Sequence, residues 1–317
     1  MENRIHPELR EALKKLKEVR YTRERLSEIR RWDIEVFANL RASTPQEPSV
    51  LTYERFIPGP ENAPELRVKI YEPIEKNELL PAVLMIHGGG YVGGTVEHLD
   101  VRSENLVTIS NCIVVSVDYR VAPEYPFPAA LEDCYATLVW LSGNAAKLGV
   151  DPSRVAVFGS SAGGGLTIAL SMLARDRGGP AIAFQVPIYP MIDDTCGTRS
   201  CKEVTDARVW NYSNNLFCWD MYIGADRSDV SYYAAPSRAV DFSGLPPAYV
   251  CVGELDPFRD ETIDYVTKLS RHGVPVEFHL YSGCFHAHQE IVPTAEISKR
   301  TKMEYYLAVK NALHGTL

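Results

Sequence analysis

No run of apolar residues in this 317-residue sequence is long enough to cross a bilayer, and Met-Glu-Asn-Arg-Ile-His-Pro at the start is not followed by the apolar stretch of a secretory signal. Basic charge is also short: 33 Lys and Arg against 41 Asp and Glu give a formal net charge of −8 and a pI near 5.6. A nucleic-acid surface needs a basic face that displaces counterions, so a polyanion partner is excluded. Cysteine is sparse and unpatterned. The seven cysteines include no Cys-x-x-Cys pair, which gives neither a disulfide framework nor a zinc site. Cys196 and Cys201 could bridge in an oxidising setting, but reduced thiols are expected in the soluble, cytoplasmic protein that these absences describe. Repeats and low-complexity segments are missing too. A composition of 45% hydrophobic and 23% charged residues excludes disordered and fibrous classes.

What is present suits one α/β domain with an accessory subdomain. From Pro7 to about Leu40 a charged, helical arm carries Leu9, Leu13, Leu16 and Val19 at helical spacing on one face, for packing against the rest of the chain. A polar linker, Ala42 to Ser49, leads out of it. Two half-solvated strands, Val50 to Phe56 and Leu66 to Tyr71, belong at a sheet edge. Buried strands then alternate with helices. Ala82 to Ile86, a helix near Leu99 to Ser110, Ile113 to Val117, a helix over Ala129 to Leu148, and Val155 to Phe158 spell a mainly parallel sheet. After the apolar run Ala181 to Tyr189 the alternation stops, and Asp193 to about Asp229 reads as a helical insertion over the end of the sheet. It resumes with Ala248 to Val252, a helix from Pro257, Val276 to Tyr281 and a last helix ending near Leu313.

Chemistry concentrates at Gly159-Ser160-Ser161-Ala162-Gly163, between the strand Val155 to Phe158 and a helix over Leu166 to Ala174. A strand that turns directly into a helix around one serine holds that serine in a strained conformation, and small neighbours relieve the crowding. The geometry projects the hydroxyl of Ser161 out of the sheet and aims the first helical N–H groups above it. The alternative is a tight turn with a serine cap and no chemistry.

Partners elsewhere in the chain decide between the two. A serine needs a base, and the base a carboxylate to hold its tautomer; on this fold the acid and then the histidine follow the serine, each after a strand. Glu254-Leu-Asp-Pro-Phe-Arg-Asp260 follows Ala248 to Val252, and Asp256 is chosen over Glu254 and Asp260, with capping of the next helix as its other role. Ser282-Gly-Cys-Phe-His-Ala-His288 follows the last strand; His286 is taken as the base, with His288 the other loop histidine. His87-Gly-Gly-Gly90 follows Ala82 to Ile86 and offers N–H groups to an oxyanion, so Gly88, Gly89 and Ala162 are the expected donors. No Lys-Ser/Thr follows these glycines as a phosphate loop requires.

With these motifs in view the chain resembles the hormone-sensitive lipase-like family of α/β-hydrolase esterases. The resemblance rests on His87 to Gly90, Asp118 to Ala130, Gly159 to Gly164, Leu245 to Pro247, Asp256 to Glu261 and Gly283 to His286. It implies an α/β-hydrolase fold, a mainly parallel central sheet flanked by helices, with Ser161, Asp256 and His286 as triad. It also implies a helical cap from residues 1–45 and 191–235 over a catalytic domain of residues 46–190 and 236–317. Two departures stand out: Ser160 where relatives usually carry Asp or Thr, and Ala287-His288 where they usually carry Gly-Phe.

The expected activity is hydrolysis of short-chain carboxylic esters through an acyl-enzyme, with a small-molecule ester as the substrate and no metal or cofactor. The base must be neutral, so activity should fall on acidification. Tyr91, Ser160, Trp210 and Phe217 are candidates for the pocket wall. An amidase or deacetylase with the same residues is the alternative. A ligand-binding receptor on a hydrolase fold is disfavoured, since the gibberellin receptors that resemble this family lack the histidine. A homodimer through the edge strand is left open beside a monomer.

Overall fold

The structure is a computed structural model and describes residues 2–315. Eight strands form one sheet: β1 (Val50–Ile57), β2 (Leu66–Pro73), β3 (Leu80–Ile86), β4 (Ile113–Val117), β5 (Val150–Ser160), β6 (Phe184–Ile188), β7 (Ala248–Leu255) and β8 (Val276–Phe285). Their spatial order is β1-β2-β4-β3-β5-β6-β7-β8, antiparallel over the first three and parallel from β4 to β8. Because side chains alternate along a strand, each strand feeds two cores. In β3, Ala82, Leu84 and Ile86 pack with Leu166, Leu170 and Leu173 of the helix Ala162–Asp176 on one face, while Val83 and Met85 join Leu106, Tyr305 and Val309 on the other.

Most sequence expectations hold to within a few residues, and the differences have local causes. The N-terminal arm is not one helix. It breaks after Leu13 and restarts at Leu26, because the segment between is drawn out to bond the insertion: Val19 N–H donates to Ala207 O at 2.8 Å, and Asn214 Nδ2 donates to Val19 O at 2.9 Å. Leu26 and Ile29 of the second helix are buried, whereas Trp32, Val36 and Leu40 are exposed. Of the two edge strands, only β1 is at the edge. β2 is covered, and its polar alternates are paired rather than solvated: Lys69 Nζ meets Asp100 Oδ1 at 2.8 Å and Arg67 pairs with Glu97 and Asp118. The long helix after Ala129 ends at Gly143, and a separate turn spans Ala145–Leu148. Among the described residues no helix is long and apolar enough to cross a membrane. All seven cysteines are free and buried, and Asn215 Nδ2 donates to the sulfurs of both Cys196 and Cys201.

Burial also fixes the state of three imidazoles. It pushes His87 down to about 3, and His98 and His288 each to about 4. Each stays neutral in the folded chain while its unfolded counterpart, with an ordinary value of about 6.5, takes up a proton. The unfolded state therefore binds more protons as pH falls below that value, and stability declines. Asp33, raised to about 6 by burial, acts in the opposite sense. His288→Gln removes one of the three, so its urea midpoint should fall less steeply than wild type between pH 6.5 and 4, a window of about two and a half units. Parallel curves would contradict the buried neutral His288.

Candidate active site

The parallel strands end on one side of the sheet, and the candidate residues lie at those ends. At the end of β5, Ser161 has φ 58° and ψ −120°, a region that an L-residue enters at a cost of about 1–3 kcal/mol. Contacts hold it there. Ser161 N–H donates to Ile188 O at 3.0 Å, and Ser161 O accepts from Met191 and Gly165 N–H, each at 3.0 Å. A Cβ on Gly163 would lie 2.3 Å from Ile86 O and 2.4 Å from His87 O, and one on Gly88 would lie 2.9 Å from Ser160 O. The glycine loop and the serine turn are thus pressed backbone to backbone, and any side chain between them forces them apart.

Ser161, His286 and Asp256 form one hydrogen-bonded line. His286 Nε2 is 3.1 Å from Ser161 Oγ, and His286 Nδ1 donates to Asp256 Oδ2 at 2.7 Å. The carboxylate at Nδ1 places the ring proton there, leaving Nε2 to accept from the serine hydroxyl. Asp256 is fully buried, and its second oxygen accepts from Phe258 N–H at 2.9 Å. The capping role weighed for Asp256 in the sequence is not met: the helix starts at Arg259 with Phe258 at its N-cap and no side-chain cap, and the Asp256 bond closes the turn just before it. Rings enclose the imidazole: Tyr189 at 4.7 Å, Phe258 at 5.1 Å and Trp210 at 6.1 Å between centroids.

The other sequence candidates fall apart from this line. Glu254 binds Arg4, Ser282 Oγ and Gly283 N–H, which drives it down to about 2, and Asp260 caps Ser200. His288 is turned away, with Nε2 at 3.2 Å from Thr301 Oγ1.

Among the expected oxyanion donors, Gly88 N–H and Gly89 N–H make no hydrogen bond with the described residues, and Ala162 opens its helix, so its N–H has no partner within it. The loop is braced from behind: His87 Nδ1 donates to Gly88 O at 2.8 Å, its ring stacks on Tyr119 at 4.0 Å, and Tyr119 Oη donates to His87 O at 2.9 Å.

Three of the four pocket candidates are placed elsewhere. Tyr91 is 1% exposed, stacked on Tyr222 at 4.0 Å and donating to Met191 O at 2.7 Å, so it anchors the glycine loop to the core. Ser160 Oγ is taken by Arg102 Nη1 at 3.2 Å. Phe217 faces Tyr21, centroids 6.3 Å apart, and lines a cavity of about 440 Å³ with Arg23 and Asp220 on the outside of the insertion. Trp210 alone adjoins the line; a Cβ on Gly90 would lie 2.6 Å from its ring. Tyr189 and Phe258 were missed. Phe258 lies inside the Asp-Pro-Phe-Arg-Asp motif, but nothing in spacing reveals that its ring turns back onto the histidine.

The crowding at Gly163 generates a direct expectation. Gly163→Ala should lower stability by more than about 2 kcal/mol, read as a shift in the urea midpoint, because the methyl meets backbone that cannot yield. An unchanged midpoint would contradict the close approach.

A family model described as the alpha/beta hydrolase fold matches residues 83–290. The chain is 37% identical over 281 residues to carboxylesterase NlhH of Mycobacterium tuberculosis, covering 86% of each. It is 37% identical over 224 residues to an arylesterase of Saccharolobus solfataricus, covering 70% of this chain and 72% of that one. A solved bacterial heroin esterase superposes with a TM-score of 0.94 at 37% identity, covering 98% of both chains. The chain belongs to the hormone-sensitive lipase-like family of α/β-hydrolase esterases.

Proposed function

We propose that the protein hydrolyses carboxylic esters of short acyl chains through an acyl-enzyme on Ser161. The observation that carries it is the line Asp256–His286–Ser161, with 2.7 and 3.1 Å between its members. His286 takes the hydroxyl proton as Ser161 attacks the carbonyl carbon, and the imidazolium that forms is held by the buried Asp256 carboxylate. The oxyanion of the tetrahedral intermediate sits among Gly88, Gly89 and Ala162 N–H; in other enzymes the loss of one such donor costs about 3 kcal/mol. His286 then gives its proton to the departing alcohol. Water attacks the acyl-serine in turn, delivering its proton to His286, which returns it to Ser161 Oγ as the acid leaves.

The family resemblance supports a short acyl chain over a long one. We assign residues 1–45 and 191–235 to a cap, supported by the bonds that join Val19 and Tyr21 to Ala207 and Asn214.

On p-nitrophenyl esters of increasing chain length, wild type should be fastest on acetate or butyrate, and Ser161→Ala should lose about a thousandfold or more. Asp256→Asn, which leaves the ring free to adopt the wrong tautomer, should lose about 10⁴-fold in kcat. Faster turnover of long-chain triglyceride would sink the chain-length claim. A preference for anilides over esters would redirect the assignment to an amidase.

A further inference from the structure

Arg102 stands outside the line of Asp256, His286 and Ser161, on the helix Asp100–Ser110, and is only 7% exposed. Its guanidinium lies against the rings of Phe158 and Tyr305, 5.6 and 5.9 Å from their centroids. One end reaches the serine turn, Nη1 donating to Ser160 Oγ at 3.2 Å. The other reaches the histidine segment, Nη2 donating to Glu290 Oε1 at 2.6 Å. Ser160 directly precedes Ser161, and Glu290 lies on the short helix His288–Ile291 that follows His286. Burial strips the Arg102 guanidinium of water, while the Glu290 side chain stays 32% exposed, and an apolar side chain in place of Arg102 would fill the same space without that cost. What an apolar residue could not do is join those two segments.

The helix after His286 is also tied to the last helix, His288 Nε2 meeting Thr301 Oγ1 at 3.2 Å and His288 O accepting from Ser298 Oγ at 3.4 Å, but neither bond reaches the serine turn. Ala287 sits at φ 56°, a left-handed conformation that an L-residue resists, and its carbonyl accepts from Glu290 N–H at 2.9 Å and Ile291 N–H at 3.1 Å. The turn bearing His286 is therefore closed onto the helix bearing Glu290. Next to Glu290, Gln289 Nε2 donates to the hydroxyl of Tyr189, whose ring lies beside the imidazole. A displacement of Glu290 passes to Ala287 and to the base.

We propose that Arg102 is a positioning residue: its planar fork spans Ser160 and Glu290 and sets the separation of nucleophile and base. The proposal rests on the acyl-enzyme function above. A lysine could still meet Glu290, but one ammonium on a flexible stem cannot hold both partners in a fixed geometry.

The test compares wild type with Arg102→Gln, Arg102→Lys, Glu290→Gln and Ser160→Ala on p-nitrophenyl butyrate. Competent sites are counted with an organophosphate titrant so that kcat is per active site. Arg102→Gln should lower kcat per site by about 10- to 100-fold, the range expected of a misplaced reacting group. KM should stay within about twofold, because the ester is still bound. Arg102→Lys should fall between Arg102→Gln and wild type. Glu290→Gln should resemble Arg102→Gln, and a variant carrying both Arg102→Gln and Glu290→Gln should be no worse than the poorer single one, since both break one link. If Arg102→Gln does not fold, Glu290→Gln and Ser160→Ala carry the same test from the other ends of the fork. A role in folding alone would reduce the number of titratable sites and the melting temperature while leaving kcat per site at the wild-type level; that result overturns the proposal. Ser161→Ala in the same assay separates the two claims. Activity kept by Ser161→Ala removes the acyl-enzyme and the positioning role together, whereas activity lost there but kept per site in Arg102→Gln removes only the positioning role.

Discussion

Ser161 stands with φ 58° at the point where β5 gives way to a helix, and its backbone conformation is the constraint on which the candidate site depends. A side chain in that conformation is lifted clear of the strand, and the helix must begin at the next residue. Both consequences require the backbone of Ile86 and His87 to come within contact of Gly163, which only a residue without a Cβ permits. The strain is therefore sustained by burial on both sides: Ile188 and Met191 hold the serine's own peptide groups, and β3 and β6 flank β5 in parallel register. A turn of this kind would relax in an isolated hairpin. Inside an eight-stranded sheet it has no room to do so.

The parallel arrangement then brings the remaining groups together without further design. β3, β5 and β7 point the same way, so the glycine loop after β3, the serine after β5 and the carboxylate after β7 emerge at one edge, with the histidine closing β8's side. Asp256 is fully buried and has a hydrogen-bond partner on each oxygen, as a buried polar group requires. His286, 6% exposed, is walled by Tyr189, Phe258 and Trp210. Water exclusion strengthens the attraction between this pair, and it comes from three segments distant in sequence.

The convergence of Ser161, Asp256, His286 and the glycine loop was legible because each sits in a short pattern tied to the end of a strand, where topology leaves little freedom. The family followed from the same motifs, and the mainly parallel sheet from the alternation of buried strands with helices. Contacts set by tertiary packing were not legible. Tyr91 beside the glycine loop suggested a pocket wall, but its hydroxyl found a backbone carbonyl in the core. Lys69 and Arg67 suggested an open edge, but carboxylates from a later helix and loop covered them. The break in the N-terminal arm was hidden because Leu16 and Val19 continue the helical spacing, while the bonds that pull Val19 out come from residues nearly two hundred positions away. Arg102 carried no signal at all: its role depends on two partners, 58 and 188 residues distant.

The central claim is that Ser161, and not the adjacent Ser160, is the atom acylated. The most direct measurement is to treat the protein with a fluorophosphonate, digest it and locate the adduct by tandem mass spectrometry. The account predicts a single adduct on Ser161, formed with loss of all esterase activity and absent when His286 is replaced by glutamine. An adduct on Ser160, or full loss of activity with Ser161 unmodified, would contradict it.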